Sequence, residues 1–178
     1  MELFDVLDDK GIPTGETKLR SLVHRDGNWH KAIHVFIVND KKQILFQKRS
    51  PEKDSNANKW DISCGGHASA GDTSLGTVEK ELREELGIRI PAEELIYIDT
   101  FRQQSVRNEG TFINNEFNDV YLAELNLDIT KLDFQKEEIS ELKWVDASEL
   151  EEVITSRNPE FVQHLEEFRM IINLLHNK

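Results

Sequence analysis

Cysteine is nearly missing from this chain of 178 residues: Cys64 stands alone, so no internal disulfide can form. Apolar runs of transmembrane length are missing too, as is an N-terminal basic region followed by an apolar stretch. These absences speak against a membrane span and a secretory leader, and they make the cytoplasm the expected location. No repeat, low-complexity tract or linker breaks the chain. Basic residues are in short supply: 22 Lys and Arg face 34 Asp and Glu, for a net charge of −12. That balance excludes sequence-independent binding to nucleic acid or to anionic membrane, since both need basic surface. What remains is a globule of ordinary but fairly polar composition, 38% hydrophobic, long enough for one domain with a substantial core.

The informative stretch runs from Gly66 to Ile88. Gly66-His67-Ala68-Ser69-Ala70-Gly71-Asp72 is a glycine-bearing loop, and it leads to Glu81-Leu82-Arg83-Glu84-Glu85-Leu86-Gly87-Ile88. Residues on a helix advance by about 100° each, which puts Leu75, Val78, Leu82 and Leu86 on one narrow stripe facing the core. Glu81, Glu84 and Glu85 fall together beside that stripe, where a side chain can reach a pocket. Asp72, Thr73 and Ser74 offer N-cap oxygens, and Gly87 suits the left-handed position past the last turn. Glutamate is a good helix former, so several on one helix need no special reason. Yet Glu81 and Glu85 are like charges at i,i+4, which repel. Three crowded acids beside a glycine loop suit a divalent cation that shares its oxygen ligands with a substrate phosphate.

Elsewhere the pattern predicts a hairpin from Leu3-Phe4-Asp5-Val6-Leu7 through the turn at Asp8-Asp9-Lys10-Gly11. Strands are expected over 31–38, 43–48, 60–63, 95–102, 117–124 and 141–145. A polar loop covers 51–58, a short helix 148–154 and a longer amphipathic helix 161–175. Strands followed by helices without strict alternation indicate the α+β class.

The glutamate segment resembles the box of the Nudix hydrolase family. That box opens on a glycine, carries an acid in its loop and ends Arg-Glu-aliphatic-any-Glu-Glu-any-Gly-aliphatic. Gly66 opens it here, and Glu81, Leu82, Glu84, Glu85, Gly87 and Ile88 match as written. Asp72 replaces the loop glutamate and Lys80 the arginine, so the planar fork that could orient a glutamate becomes a point charge. His24-Arg25-Asp26-Gly27, Trp60-Asp61-Ile62-Ser63 and Asn114-Asn115-Glu116-Phe117-Asn118-Asp119-Val120-Tyr121 are similar to the branch of that family akin to isopentenyl-diphosphate isomerases and plant Nudix 3-type hydrolases.

The resemblance implies a single Nudix hydrolase domain over 1–178, with the hairpin at about 1–20 and the last helix at about 160–176. Its fold would be an α/β/α sandwich around a mixed sheet. Glu81, Glu84 and Glu85 would be the catalytic acids. They would hold Mg²⁺ or Mn²⁺ with the Gly66 carbonyl, and Glu116 is the preferred extra ligand from outside the box. Asp119, Glu137 and Glu138 are further acids of that kind. The implied reaction is metal-dependent attack of water on a small-molecule diphosphate linked to a nucleoside or an isoprenoid. A homodimer is a further expectation, dimers being frequent in such enzymes.

Lys48, Arg49, His30 and His67 are candidates for binding substrate, Arg49 bidentately. Arg102 and Arg107 carry no signal beyond that of surface arginines, and Trp29 and Trp60 read as packing residues. In the isomerases, histidines at places near His24, His30 and His67 bind a metal with two acids from a later strand. Glu116 stands at one of those acids and Asn114 at the other. The plainer reading makes His24 and His30 loop and strand-edge residues. Isomerisation also needs a cysteine two residues before the histidine equivalent to His67. Gly65 stands there, Cys64 is one residue early, and Ala68 follows His67 where the isomerases carry proline. Those isomerases lack most of the box glutamates that this chain keeps. Hydrolysis is therefore preferred, the alternatives being isopentenyl-diphosphate isomerisation and a non-enzymatic sensor of nucleotide diphosphates.

Overall fold

The computed structural model describes residues 2–53 and 55–177, so Met1, Asp54 and Lys178, which fall within the expected domain and polar loop, lie outside the described residues. In chain order the elements are β1 (Leu3–Leu7), β2 (Pro13–Leu19), α1 (Arg20–Asp26), β3 (Trp29–Val38), β4 (Gln43–Arg49), β5 (Trp60–Asp61), β6 (Cys64–His67), α2 (Ser74–Glu85), β7 (Ile96–Arg107), β8 (Phe112–Glu124), β9 (Ile139–Asp146), α3 (Ala147–Ser156) and α4 (Leu165–His176). The strands make one mixed sheet organised around β3. This strand runs parallel to β8 from Trp29↔Asn115 to Val38↔Glu124. It runs antiparallel to β6 from Ala32↔His67 to Val35↔Cys64.

Alternation along β3 sends its side chains to two different cores. Ile33, Val35 and Ile37 pack with Val78 and Leu82 of α2 and with Leu86 at its C-terminal cap. Phe36 and Val38 point the other way and pack with Leu150 and Val153 of α3 and with Phe168 and Ile172 of α4. Helices thus cover both faces of a mixed sheet, the expected α/β/α arrangement of the α+β class. Each large side chain fully buried in such a core contributes about 1.5–3 kcal/mol. No helix among the described residues is long and apolar enough to cross a membrane.

Four local expectations differ from the structure. The segment 60–63 is not one strand. It splits into β5, paired with β4, and β6, paired with β3, so the chain changes neighbours at Ile62-Ser63. The last helix begins at Leu165, not near 160. Before it, Trp60 N donates to the Glu160 carbonyl at 2.7 Å and Val162 N to the Trp60 carbonyl at 2.8 Å, which holds 160–162 extended against β5. The β7–β8 hairpin is longer than its apolar cores suggested, because polar residues such as Gln103, Gln104, Asn114 and Asn115 continue the ladder. Helix α1 was not expected. Its N-cap, Leu19, makes no side-chain capping bond, and the helix is only seven residues long. Its clear local sign is Gly27, left-handed at φ 67°.

Candidate functional site

An open cleft of about 1370 Å³ collects residues from α2, β6, β3 and the loops around them. Helix α2 starts where the Thr73 hydroxyl accepts from Gly76 N at 3.1 Å. It is pinned to the sheet by buried Val78 and Leu82. Just past it, Gly87 has φ +68°, and a Cβ there would lie 2.7 Å from the Asp133 carbonyl oxygen. No other residue fits that turn.

This helix presents all three glutamates to the cleft. Glu81 lies against Gly66 of β6 so closely that a Cβ on Gly66 would come within 2.5 Å of the Glu81 carboxyl carbon. The glycine is therefore needed to seat the acid. Glu85 is only 8% exposed. Its Oε2 accepts from the Gln47 side-chain amide at 3.2 Å, and the buried Cys64 thiol also hydrogen-bonds its carboxyl. Glu84 is half exposed, with Arg83 3.6 Å away.

Burial raises the Glu81 pKa to about 7; Lys80, 3.9 Å off, opposes the rise, while Glu84 adds to it. Burial also carries Glu85 to about 7, reinforced by the Glu81 charge. A buried and a partly buried carboxylate side by side, with Lys80 the one cation near them among the described residues, form a site that gains from positive charge. An oxygen-only donor set of this kind fits a hard divalent ion such as Mg²⁺ or Mn²⁺.

The remaining candidates divide. His67 and Glu116 line the cleft and are joined, with His67 Nε2 2.9 Å from Glu116 Oε1. His30 is fully buried, 3.8 Å from the same oxygen, between the rings of Phe4, His24 and His67. His24 lies on α1, its Nε2 3.0 Å from the Asn114 side-chain oxygen. The three imidazoles do converge, with one nitrogen from each within 4.8 Å of the others. Burial, first of several causes, lowers His24 to about 4, so its ring is neutral at pH 7. Glu116 thus stands with the histidines through hydrogen bonds.

Arg49 lines the cleft but is engaged, donating to Asp61 Oδ2 at 3.2 Å and to the Ser55 carbonyl. Lys48 is not among the cleft-lining residues. Neighbours on a strand face opposite ways, and its ammonium lies 3.8 Å from Glu141 and over Trp60. Glu137, Glu138 and Arg107 also line the cleft, Glu138 hydrogen-bonded to Lys53. Asp119 is bound to Lys31 at 2.7 Å, and Arg102 stacks over Trp29.

Sequence reasoning missed a second buried cluster. His34 Nδ1 donates to Glu167 at 2.8 Å, and His164 Nε2 donates to Asp61 at 3.0 Å. Spacing alone could have flagged His34, since it shares a β3 face with His30 at i+4. Its partner is 133 residues away, and no local pattern reveals that.

Residues 28–165 match the model of the NUDIX domain. Nudix hydrolase 3 of Arabidopsis thaliana is 46% identical over 166 residues, which are 92% of this chain but 22% of that protein's length. The chain therefore spans about a fifth of that relative. An uncharacterized Nudix hydrolase of Listeria monocytogenes is 34% identical over 88% of this chain and 86% of its own. Isopentenyl-diphosphate Delta-isomerases stand among the further relatives. A Deinococcus radiodurans protein of known structure superposes with a TM-score of 0.71 at 22% identity, covering 94% of this chain and 98% of its own, a likeness of fold. By its domain match, its relatives and the glutamate helix, the chain belongs to the Nudix hydrolase family.

Proposed function

We propose that the chain is a divalent-metal-dependent hydrolase of a diphosphate linked to a second group, X. The observation that carries this reading is that one helix presents Glu81, Glu84 and Glu85 together to the cleft, with Glu81 seated against Gly66 and Glu85 buried. Nudix enzymes generally use divalent metals, and Glu81, Glu84, Glu85 and the Gly66 backbone would hold Mg²⁺ or Mn²⁺ here. When bound, that ion polarises the phosphoryl oxygens and lowers the pKa of a bound water.

The protein's own groups do the rest. Gly66 leaves room for the Glu81 carboxyl, and the Gln47 amide fixes the orientation of Glu85. One of the three glutamates would take a proton from the attacking water, and Glu84 is the most exposed of them.

Cys64 supports hydrolysis over isomerisation. It is fully buried, hydrogen-bonded to Glu85, and its thiol is pushed well above its ordinary pKa by burial, so it neither reaches a substrate carbon nor readily ionises. The test is phosphate release from a panel of nucleoside-linked and isoprenoid diphosphates with Mg²⁺ or Mn²⁺. Conversion of isopentenyl to dimethylallyl diphosphate without release would replace hydrolysis by isomerisation. Tight binding with neither outcome would make the chain a sensor. Sedimentation of the same sample tests the expected homodimer.

A further inference from the structure

The fold uses two buried ion pairs to fasten α4 and the segment before it to the sheet, and one of them has an open end. His34 and Glu167 are 9% and 4% exposed, and the imidazole Nδ1 donates to the carboxylate at 2.8 Å. Behind them, Asp61 is shared by His164 at 3.0 Å and Arg49 at 3.2 Å. Within this group the acids Glu167 and Asp61 are matched by His34 and Arg49, so the cluster needs no outside ion.

A pair that served only to clamp helix to strand could be wholly enclosed. His34 is not, because it lines the cleft. Its ring lies against Gly65, where a Cβ would stand 3.3 Å from His34 Cδ2, the carbon bonded to Nε2. The edge carrying Nε2 therefore lies beside a strand position that has no side chain. That nitrogen makes no hydrogen bond with the described residues. Burial pulls the His34 pKa down, but Glu167, with smaller contributions from Glu116 and Asp61, outweighs it and the ring ends at about 9. It is thus an imidazolium at neutral pH, with the second N–H unspent.

Position adds the rest of the argument. His34 shares its face of β3 with Phe36 and Val38, under α4, whereas Glu81 and Glu85 sit on the α2 side of the sheet. The cleft joins the two across Gly65 and Gly66. A molecule with one end at the carboxylates meets a fixed cationic donor as it passes over those glycines.

We infer that His34 is an anion-binding residue of the cleft, held by Glu167 to receive a phosphate-type oxyanion of the substrate on the side of the sheet opposite the glutamates. This rests on the cleft being the substrate site proposed above. The oxyanion has two sources: the diphosphate itself, or a further phosphate carried by X. Glu167 is a positioning residue, acting through the ring.

The test is nitrogen-15 NMR of the histidine side chains in the metal-free protein during titration with inorganic phosphate. The His34 Nε2 resonance is expected to move and saturate. The response should vanish in His34→Gln, and in Glu167→Gln phosphate should bind about tenfold more weakly, in line with loss of one charge-assisted hydrogen bond. Circular dichroism melting shows whether each variant is folded, and Glu167→Gln keeps the test alive if His34→Gln is not. In turnover, His34→Gln should raise KM with little change in kcat or in Mn²⁺ affinity. An equal rise for diphosphates with and without a phosphate on X assigns the diphosphate, and a rise only for the former assigns X. A stationary Nε2 resonance at saturating phosphate in the folded protein overturns the inference. Because that measurement needs no metal and no catalysis, a chain that moves its His34 resonance yet releases no phosphate would instead refute the hydrolase reading.

Discussion

The two ends of the cleft solve opposite electrostatic problems. On the α2 side, Glu85 is buried and Glu81 partly so, and desolvation raises both to about pKa 7, against their charge. On the α4 side, Asp61 is more deeply buried than Glu81, yet it is held at about 2. Burial alone would raise it, but His164 and Arg49 outweigh that. Burial is common to both ends, so it does not decide the outcome. What decides it is whether the fold supplies the opposite charge. The carboxylates of the α4 end find their counter-charges within the chain, whereas those of the α2 end find only Lys80, 3.9 Å from Glu81.

The strongest way to break this contrast is to remove an acid from the α2 end. Groups that merely hydrogen-bond a metal's ligands already account for about 10–100-fold in affinity or activity, so Glu85→Gln or Glu84→Gln should lower kcat by at least about 100-fold. Near-ultraviolet circular dichroism should stay native. If both variants keep full Mg²⁺-dependent turnover, the carboxylates are not the metal site. Gly66→Ala comes next. Its methyl group displaces the Glu81 carboxyl, and turnover should fall by about tenfold or more, with weaker Mn²⁺ binding by calorimetry.

Stability against pH separates the two ends without catalysis. Glu81 and Glu85 have folded pKa values above their unfolded ones, so the folded state holds extra protons between about 4.5 and 7. Metal-free stability should therefore fall as pH rises through that window, by an amount on the order of 2 kcal/mol after allowing for solvent screening. At about 2–4 °C per kcal/mol for a chain of this size, that is several degrees in Tm. Mg²⁺ should restore most of it at pH 7.5 and little at pH 5. His34 behaves in the reverse sense. Its folded pKa is raised, so its contribution is fully present below about 6.5 and is lost as pH climbs through 9. Glu167→Gln should flatten that alkaline loss and also remove the acid-side loss that protonation of Glu167, whose pKa His34 holds down, would cause. A Glu167→Gln protein with the wild-type alkaline profile would mean that the pair is not formed.

The smallest effect is expected at Cys64→Ala, which removes one donor to Glu85 while Gln47 keeps its own. Turnover should drop only a few-fold. Abolished activity would revive a direct role for the thiol.

How much could be read from the chain tracks how local each interaction is. Helix α2, its Thr73 cap, the turn at Gly87 and the shared side of the three glutamates follow from helical spacing and turn chemistry, and all are present. The close fit of Glu81 on Gly66 was visible only as a motif, because two elements must meet to create it. His34 and Glu167, or His164 and Asp61, are pairings across 133 and 103 residues that no periodicity encodes. Lys48 and Arg49 were both read as cleft residues. Adjacent strand positions face opposite ways, and only Arg49 lines the cleft. Helix α1 was obscured because its N-cap makes no side-chain bond.

The tie between His34 and the final helix has a consequence for how such a protein can change. Glu167 lies beyond the stretch that matches the shared domain, which ends at residue 165. On the roles proposed for His34 and the α2 glutamates, substitutions in the last dozen positions would retune which ligands are welcomed while the acids of α2 stay untouched. Recognition and hydrolysis would be inherited on separately mutable segments of a single chain.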